Sequence, residues 1–184
     1  MNAIEALLQR SSMPRLEEPA PSDAELDLIF KAALRAADHA LLRPWRFLVI
    51  RGDSRRKLGE LFVQAALEKN TELSAAEIEK IRQKPLRAPL IIVSICNPKE
   101  HPKVPVFEQE LSAAAATQNM LLAAFAQNLG AMWRTGSMAY DPNVSSGLGL
   151  TENEKIIGFL YLGAAAAPGK KILSADPADF VQEW

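Results

Sequence analysis

Three short polar runs sit where the hydrophobic pattern of the chain breaks, and each joins a cation to small hydroxyl- or amide-bearing neighbours. Arg10-Ser11-Ser12 closes an amphipathic stretch and offers a guanidinium fork and two hydroxyls to a single anion. The plainer reading from composition alone is a solvated helix end, with Arg10 complementing the helix dipole. Arg35 and His39 stand four apart on a second amphipathic stretch and would share a helical face; on the residues alone they are a solvent-facing pair. Trp133-Arg134-Thr135-Gly136 follows a helix end, so backbone amides and Arg134 could converge on a ligand. The alternative there is a strand with alternating faces, Trp133 inward and Arg134 outward.

Other chemistry is scarce. With His39 and His101 as the only histidines and Cys96 as the only cysteine, a structural zinc site of the Cys/His kind cannot be assembled, and no metal is expected. One cysteine also excludes an intramolecular disulfide, which makes a reducing, cytoplasmic compartment the natural reading. The sequence holds neither a phosphate-binding loop of the Walker type nor GxGxxG; Gly147-Leu148-Gly149 lacks the third glycine and a preceding strand, and reads as a turn. Ser11-Ser12 and Ser145-Ser146 lack a nucleophile elbow. A net charge of -1 advertises neither a nucleic-acid nor an anionic membrane partner, and no apolar run approaches a membrane span. The opening MNAIEALLQR has no basic n-region and Glu5 interrupts its apolar face, which argues against a secretory signal.

Periodicity supplies the elements that must position these groups. Residues 2–10 carry Ile4, Leu7 and Leu8 on one helical face, and Met13-Pro14 ends the run. Ser22 stands three residues before Glu25, a capping box for an amphipathic helix of Leu26, Ile29, Phe30, Ala33 and Leu34 that gives out near Asp38-His39. Residues 46–51 (RFLVIR) read as a short buried strand. Ser54 is placed to cap a helix carrying Leu58, Leu61, Phe62 and Ala65, and Ser74 with Glu77 makes a second capping box for a polar helix ending before Pro85. The apolar run LIIVSIC at 90–96 is the sign of a strand covered on both faces. A proline-bearing loop over 97–107 leads to a long helix over 107–128, with Gly130 as its C-cap. That helix has small or apolar residues nearly all round, which buries it in its own core or partly against another subunit. Residues 131–135 and 156–162 (IIGFLYL) are further strands, and 175–184 has no pattern of its own. Few strands scattered among helices indicate α+β, a small mixed sheet wrapped by helices, in one domain over 1–184.

Taken in order, LLQRSS at 7–12, RAADHALLRPWRFLVI at 35–50, RAPLIIVSI at 87–95, HPKVPVFEQELSAAAATQNMLLAAFAQNLGAMWRTG at 101–136 and KIIGFLYLG at 155–163 resemble the nitroreductase-like FMN flavoproteins, most of all the short chains of the YdjA-type branch. No single segment is specific; the ordered set is. The resemblance implies a homodimer with a mainly antiparallel sheet, binding two FMN molecules at the subunit interface. It implies that Arg10 and Ser12, with the backbone at Ser11, hold the FMN phosphate and ribityl chain. By the same resemblance Arg35 and His39 approach that cofactor from the other subunit, and Trp133, Arg134 and Thr135 line the flavin and its tail. Ala123, Ala124, Phe125, Ala126, Gln127 and Asn128 match the nicotinamide side. The chain departs from the pattern at Ser11, where the branch often has a second arginine, at Ala37 for a common proline, and at Arg43 for a common glutamine. Asp38-His39 stands where the broader family has two serines.

The implied activity is an oxidoreductase in which NAD(P)H and then a small electrophilic acceptor (nitroaromatic, quinone or enone) take turns over the flavin, a ping-pong hydride mechanism. The flavin carries the chemistry, so no residue need be nucleophile or general base; Arg134 is the candidate for stabilising the reduced flavin near N1/O2. Three other readings stay open. One is a reductase whose natural acceptor is not a nitro compound. Another is a flavin-binding carrier or sensor without turnover, separated from an enzyme by steady-state NADH oxidation with an added acceptor. The last is a structural helical dimer, which would purify colourless and refuse FMN.

Overall fold

An apolar run without a polar face must be covered on both sides, and β3 (Leu90–Cys96) is: all seven of its residues are buried at the centre of the sheet. The computed structural model describes residues 1–184 apart from 168, 170, 171 and 173. Along one edge β3 pairs with β2 (Trp45–Arg51), Trp45 opposite Cys96; along the other it pairs with β5 (Lys155–Ala165), Leu90 opposite Leu162. β5 also pairs with β4 (Gly130–Arg134) and, at its last residues, with the two-residue β1 (Leu16–Glu17). The fold is α+β, and every pairing among the described residues is antiparallel, where the sequence suggested a mixed sheet.

Period-two alternation sends the two faces of the sheet into two cores. Ile91, Val93, Phe159 and Tyr161 meet Leu58 and Phe62 of α3 (Ser54–Lys69). Phe62 and Phe159 pack edge to face with ring centroids 5.4 Å apart, a geometry worth about 0.5–1.5 kcal/mol beyond the area it buries. On the opposite face Leu90, Ile92, Leu160 and Leu162 meet α2 (Asp23–Ala33) and α5 (Val106–Ala126) through Leu26, Ile29, Met120 and Ala124. The Ser94 hydroxyl lies 2.7 Å from that of Thr117, which donates to the Ala113 carbonyl, so the buried polar atoms tying β3 to α5 are satisfied.

Helix ends follow the capping signals in part. Ser22 and Ser74 accept from the backbone N–H of Glu25 and Glu77, whose carboxylates return to the serine N–H groups. These boxes open α2 and α4 (Ala75–Arg82), and Asn2 with Glu5 makes a third for α1 (Ala3–Gln9). Ser54 caps nothing. Asp53 ahead of it is already helical (φ -69°, ψ -21°), so the Ser54 hydroxyl starts past the point from which it could reach the free amides of the first turn. Nor does Gly130 end α5. Asn128 takes the left-handed turn (φ 61°), tolerated because of its short polar side chain, and the Leu129 N–H reaches back to the Ala124 carbonyl. Gly130 lies inside β4, where a β-carbon would collide with Leu16.

The long helix is also less uniform than its composition suggests. Gln109, Ala113, Ala116, Met120 and Ala124 form a buried stripe, while Phe107 is 66% and Leu111 53% exposed. The short α6 (Pro142–Gly147), capped by Asp141, gave no periodic signal because six residues hold too little of one. Among the described residues no helix is long and apolar enough to cross a membrane.

The loop before β5 is locked by Glu154, whose side chain is 4% exposed and accepts two hydrogen bonds from the Arg46 guanidinium (2.6 and 2.7 Å) and one from the Thr151 N–H (3.0 Å). The Arg46 bonds hold the carboxyl down at about 2, against an ordinary 4.5. A depressed acid stabilises the fold above its unfolded pKa and loses that contribution as pH falls toward the folded one. Glu154→Gln is therefore expected to lower stability by about 3 kcal/mol at neutral pH. Thermal melts of both proteins should show that gap closing between pH 4.5 and 2.

Candidate functional site

Arg10 stands where α1 ends: its N–H still bonds to the Ala6 carbonyl, but its own backbone (φ -59°, ψ 128°) has left the helix. Beyond it the chain is stitched to the sheet. The Met13 N–H donates to the Ala131 carbonyl of β4 at 3.0 Å, β1 pairs with the end of β5, and the Ala166 N–H donates to the Arg15 carbonyl. Ser11 lies against Gly169, at which a β-carbon would collide with its hydroxyl. Arg10, Ser11 and Ser12, all partly buried, are thereby held beside β4 rather than in open solvent.

β4 supplies the second group. Trp133, opposite Leu160, faces the α2/α5 core and donates its indole N–H to the Ile157 carbonyl at 3.2 Å. Ile157 is the residue left unpaired by a bulge in the β3–β5 register, which frees that carbonyl, and Gly158 leaves room for the ring. Arg134, opposite Phe159, turns to the other face and lies over the Tyr161 ring, 5.4 Å from its centroid. Inward Trp133 is as alternation predicts; outward Arg134 is not, because the face it turns to is covered. Arg134 and Thr135 line a cavity of about 360 Å³ floored by Phe62, Phe159 and Tyr161.

Lys84 and Arg87 stand on the same rim, and among the described residues lining the cavity there is no carboxylate. Burial, with Arg87 and Lys80 nearby, pulls the Lys84 ammonium below its ordinary pKa. Burial pushes the Tyr161 phenol up to about 12, against the pull of Arg134 and Arg87. Two guanidinium atoms, Arg10 Nη1 and Arg134 Nε, are buried with no hydrogen-bond partner among the described residues. Buried donors of this kind are costly unless a ligand satisfies them, and the one on Arg134 lies beside a carboxylate-free cationic rim, an arrangement that suits an anion. Lys84 and Arg87 were missed from sequence; the signal available was a K-P-L-R run directly ahead of the most buried strand, which must deliver its cations to the strand's end.

Arg35 and His39 do not join this cluster, nor do they share a helix face. α2 stops at Ala33; Arg35 lies beyond it, and His39 opens a 3-10 turn over His39–Leu41. Arg35 lines a separate hollow of about 330 Å³ with Asp38, Arg43 and Trp45. The His39 Nδ1 lies 2.8 Å from the Glu108 carboxylate in the first turn of α5. Both precede β2, and β2 is separated from β4 by β3 and β5, three strand spacings or ~14 Å. Of the 123–128 stretch, Ala124 is fully buried in the core and presents nothing to a ligand. Ala123 and Phe125 are half-buried, Ala126 and Asn128 exposed, and Gln127 is occupied with the Glu25 and Ala123 carbonyls.

One more device shapes this end. Gln109, 1% exposed, accepts from the Lys99 N–H and donates to the Lys99 and Val104 carbonyls, hanging the loop over 98–105 from α5. That loop lines an open cavity of about 760 Å³.

The antiparallel sheet and the two flanking helix layers have counterparts among known proteins. The model of the nitroreductase family matches residues 7–164. The chain belongs to the nitroreductase family. It is 41% identical over 182 residues, 98% of each chain, to YdjA of Escherichia coli (strain K12), which bears the name of an NAD(P)H nitroreductase. A nitroreductase-like family protein from Bacillus cereus superimposes with a TM-score of 0.87 at 23% identity, covering 100% of this chain and 96% of that one. A nitroreductase from Desulfovibrio desulfuricans, solved in complex with FMN, gives 0.75 at 26% identity over 100% and 98% of the two chains. The YdjA-type resemblance read from the segments is thus upheld.

The like-charge crowding at the rim has a direct readout. After reductive methylation with labelled carbon, the Lys84 resonance is expected to titrate below the ordinary 10.5. Arg87→Ala should move it upward, since the neighbouring guanidinium disfavours a second positive charge. A midpoint that ignores Arg87 would show the two do not share the cavity.

Proposed function

We propose that this nitroreductase-family chain is an FMN-dependent oxidoreductase that uses NAD(P)H to reduce a small electrophilic acceptor such as a nitroaromatic, quinone or enone. It works as a cytoplasmic homodimer, with one flavin-binding domain over 1–184 in each chain. The observation that carries this reading is the pair of buried guanidinium atoms, Arg10 Nη1 and Arg134 Nε, that have no partner among the described residues. FMN brings an anionic phosphate to such donors and a planar ring to an aromatic floor. The name borne by YdjA and the FMN held by the Desulfovibrio protein support the same choice.

Arg10 and Ser12, with the Ser11 backbone, would hold the phosphate and ribityl chain, and Trp133, Arg134 and Thr135 would line the flavin. Lys84 and Arg87 add positive charge to the rim on which Arg134 lies. Bound FMN supplies hydride transfer between nicotinamide and acceptor. The protein's part is to orient, to exclude water with Phe62, Phe159 and Tyr161, and to keep cations fixed where negative charge must be stabilised. Ala123, Phe125, Ala126, Gln127 and Asn128 remain the nicotinamide-side residues of this proposal.

Arg35 and His39 serve the partner's flavin. Within one chain they lie across the sheet from β4, and apolar surface suited to a second copy is exposed on α1 (Ile4, Leu7, Leu8) and α5 (Phe107, Leu111). An obligate interface is large and hydrophobic, and its two-fold symmetry makes two equivalent sites.

Arg10→Ala should weaken FMN binding about ten- to a hundredfold, the worth of a hydrogen bond to a charged group, with the fold intact. An unchanged dissociation constant in a fluorescence titration would remove Arg10 from the phosphate. If nicotinamide and acceptor share one place, double-reciprocal plots run parallel; intersecting lines would require separate places. The shared-site dimer is tested by complementation between an Arg10→Ala chain and a His39→Ala chain. The mixed dimer holds one doubly damaged site and one intact site, and about half of wild-type flavin content and activity should return. Verified mixed dimers that recover neither property would sink the shared site.

A further inference from the structure

The segment between α2 and β2 holds a concentration of unusual backbone. Ala40 (φ 63°), Leu41 (φ 54°) and Arg43 (φ 50°) all occupy the left-handed region, and none is glycine. Residues with a β-carbon adopt that conformation only where their surroundings impose it, and such backbone gathers at functional sites. The constraint here is visible. The Asp38 carboxylate accepts the Arg43 N–H at 2.6 Å, spanning the left-handed stretch from one end to the other, while the Asp38 carbonyl accepts the Leu41 N–H at 3.3 Å. Beyond it the Arg43 carbonyl takes the Trp45 N–H at 2.8 Å, and β2 begins.

His39 is the residue this stretch presents. Its Nδ1 meets the Glu108 carboxylate at 2.8 Å, and its side chain remains 58% exposed. A carboxylate only accepts, so Nδ1 carries the proton, and in the neutral ring Nε2 is left as the free acceptor. The register between His39 and Glu108 depends on the path of residues 38–43, and that path is closed by one side chain.

We infer that Asp38 is a positioning residue: its carboxylate fastens the left-handed segment and so seats His39 on Glu108 with Nε2 turned outward. The consequence for binding rests on the proposal that His39 faces the partner's flavin; the locking of the ring does not. Arg35 and Arg43 border the same hollow as Asp38, so an electrostatic role for Asp38 is the competing account, and the two separate by substitution. An asparagine retains a carbonyl oxygen for the Arg43 N–H but not the charge; an alanine retains neither.

The experiment is nitrogen-detected NMR of the His39 ring at pH 9 in the flavin-free dimer, paired with FMN titration, for wild type, Asp38→Asn, Asp38→Ala and Glu108→Ala. Wild type and Asp38→Asn should show a single Nδ1–H tautomer and similar affinities. Asp38→Ala and Glu108→Ala should show mixed tautomers and affinity lower by about tenfold. Unchanged tautomers in Asp38→Ala, or loss of the tautomer in Asp38→Asn as well, would overturn the hydrogen-bond lock. If Asp38→Ala does not fold, the Asp38→Asn and Glu108→Ala results decide alone. A released ring with unchanged flavin affinity, while Arg10→Ala still weakens FMN, would overturn the positioning role and leave the flavin site standing. If no variant, Arg10→Ala included, alters FMN binding, the flavin reading itself has failed, and the tautomers still report on the lock.

Discussion

Lys155–Ala165 is hydrogen-bonded to three other strands, and the parts of the candidate site carried by α1 and β4 are hung from it. Its early residues pair with β3 in the middle of the sheet. Residues 159–163 also hold β4, which carries Trp133 and Arg134, and the last two hold β1. Through β1 and the Met13–Ala131 bond, that same strand fixes where Arg10 leaves its helix. A slip of one residue would exchange the faces of Phe159 and Leu160 and carry Arg134 away from Tyr161. The register is therefore a condition of the chemistry as much as of stability, and the two tightly packed cores on either face are what enforce it.

The charge arrangement makes sense against that rigid frame. Glu154 and Arg46 neutralise each other in a part-buried clamp remote from the rim. Among the described residues the rim has no such neutralisation: Lys84, Arg87 and Arg134 border one cavity, and two guanidinium nitrogens, one of them on Arg134, find no partner there. Cations held together by a scaffold that cannot relax are an unfavourable arrangement which an anionic ligand relieves, and the relief appears as binding energy.

Much of this frame was legible in the residues, and what was not has identifiable causes. LIIVSIC could only be a doubly covered strand, and the Ser-x-x-Glu boxes marked two helix starts, since both signals are local. Gly130 misled because glycine at a helix end ordinarily supplies the left-handed turn; here Asn128 does so, and the glycine answers instead to Leu16, a neighbour distant in sequence. Arg35 and His39 looked like a helical pair because the periodicity of α2 does not announce its own end. Arg10 and the Trp133–Thr135 run were visible as candidates, yet the stitching of the chain after Arg10 to the sheet is made by β1 and β5, and two residues of β1 carry no pattern. Lys84 and Arg87 became site residues only once the packing of α3 against the sheet closed a cavity over them.

The loop over 98–105 hangs from the amide of Gln109, which grips backbone atoms of Lys99 and Val104 and no side chain of the loop. That grip is thus indifferent to which side chains Lys99 and Glu100 carry. Lys99 and Glu100 border a wide opening and could be exchanged for other residues without loosening the attachment. Such a wall can be re-lined by drift while its frame persists. Relatives sharing this glutamine would then be free to diverge in what they admit at that opening without first having to re-fold it.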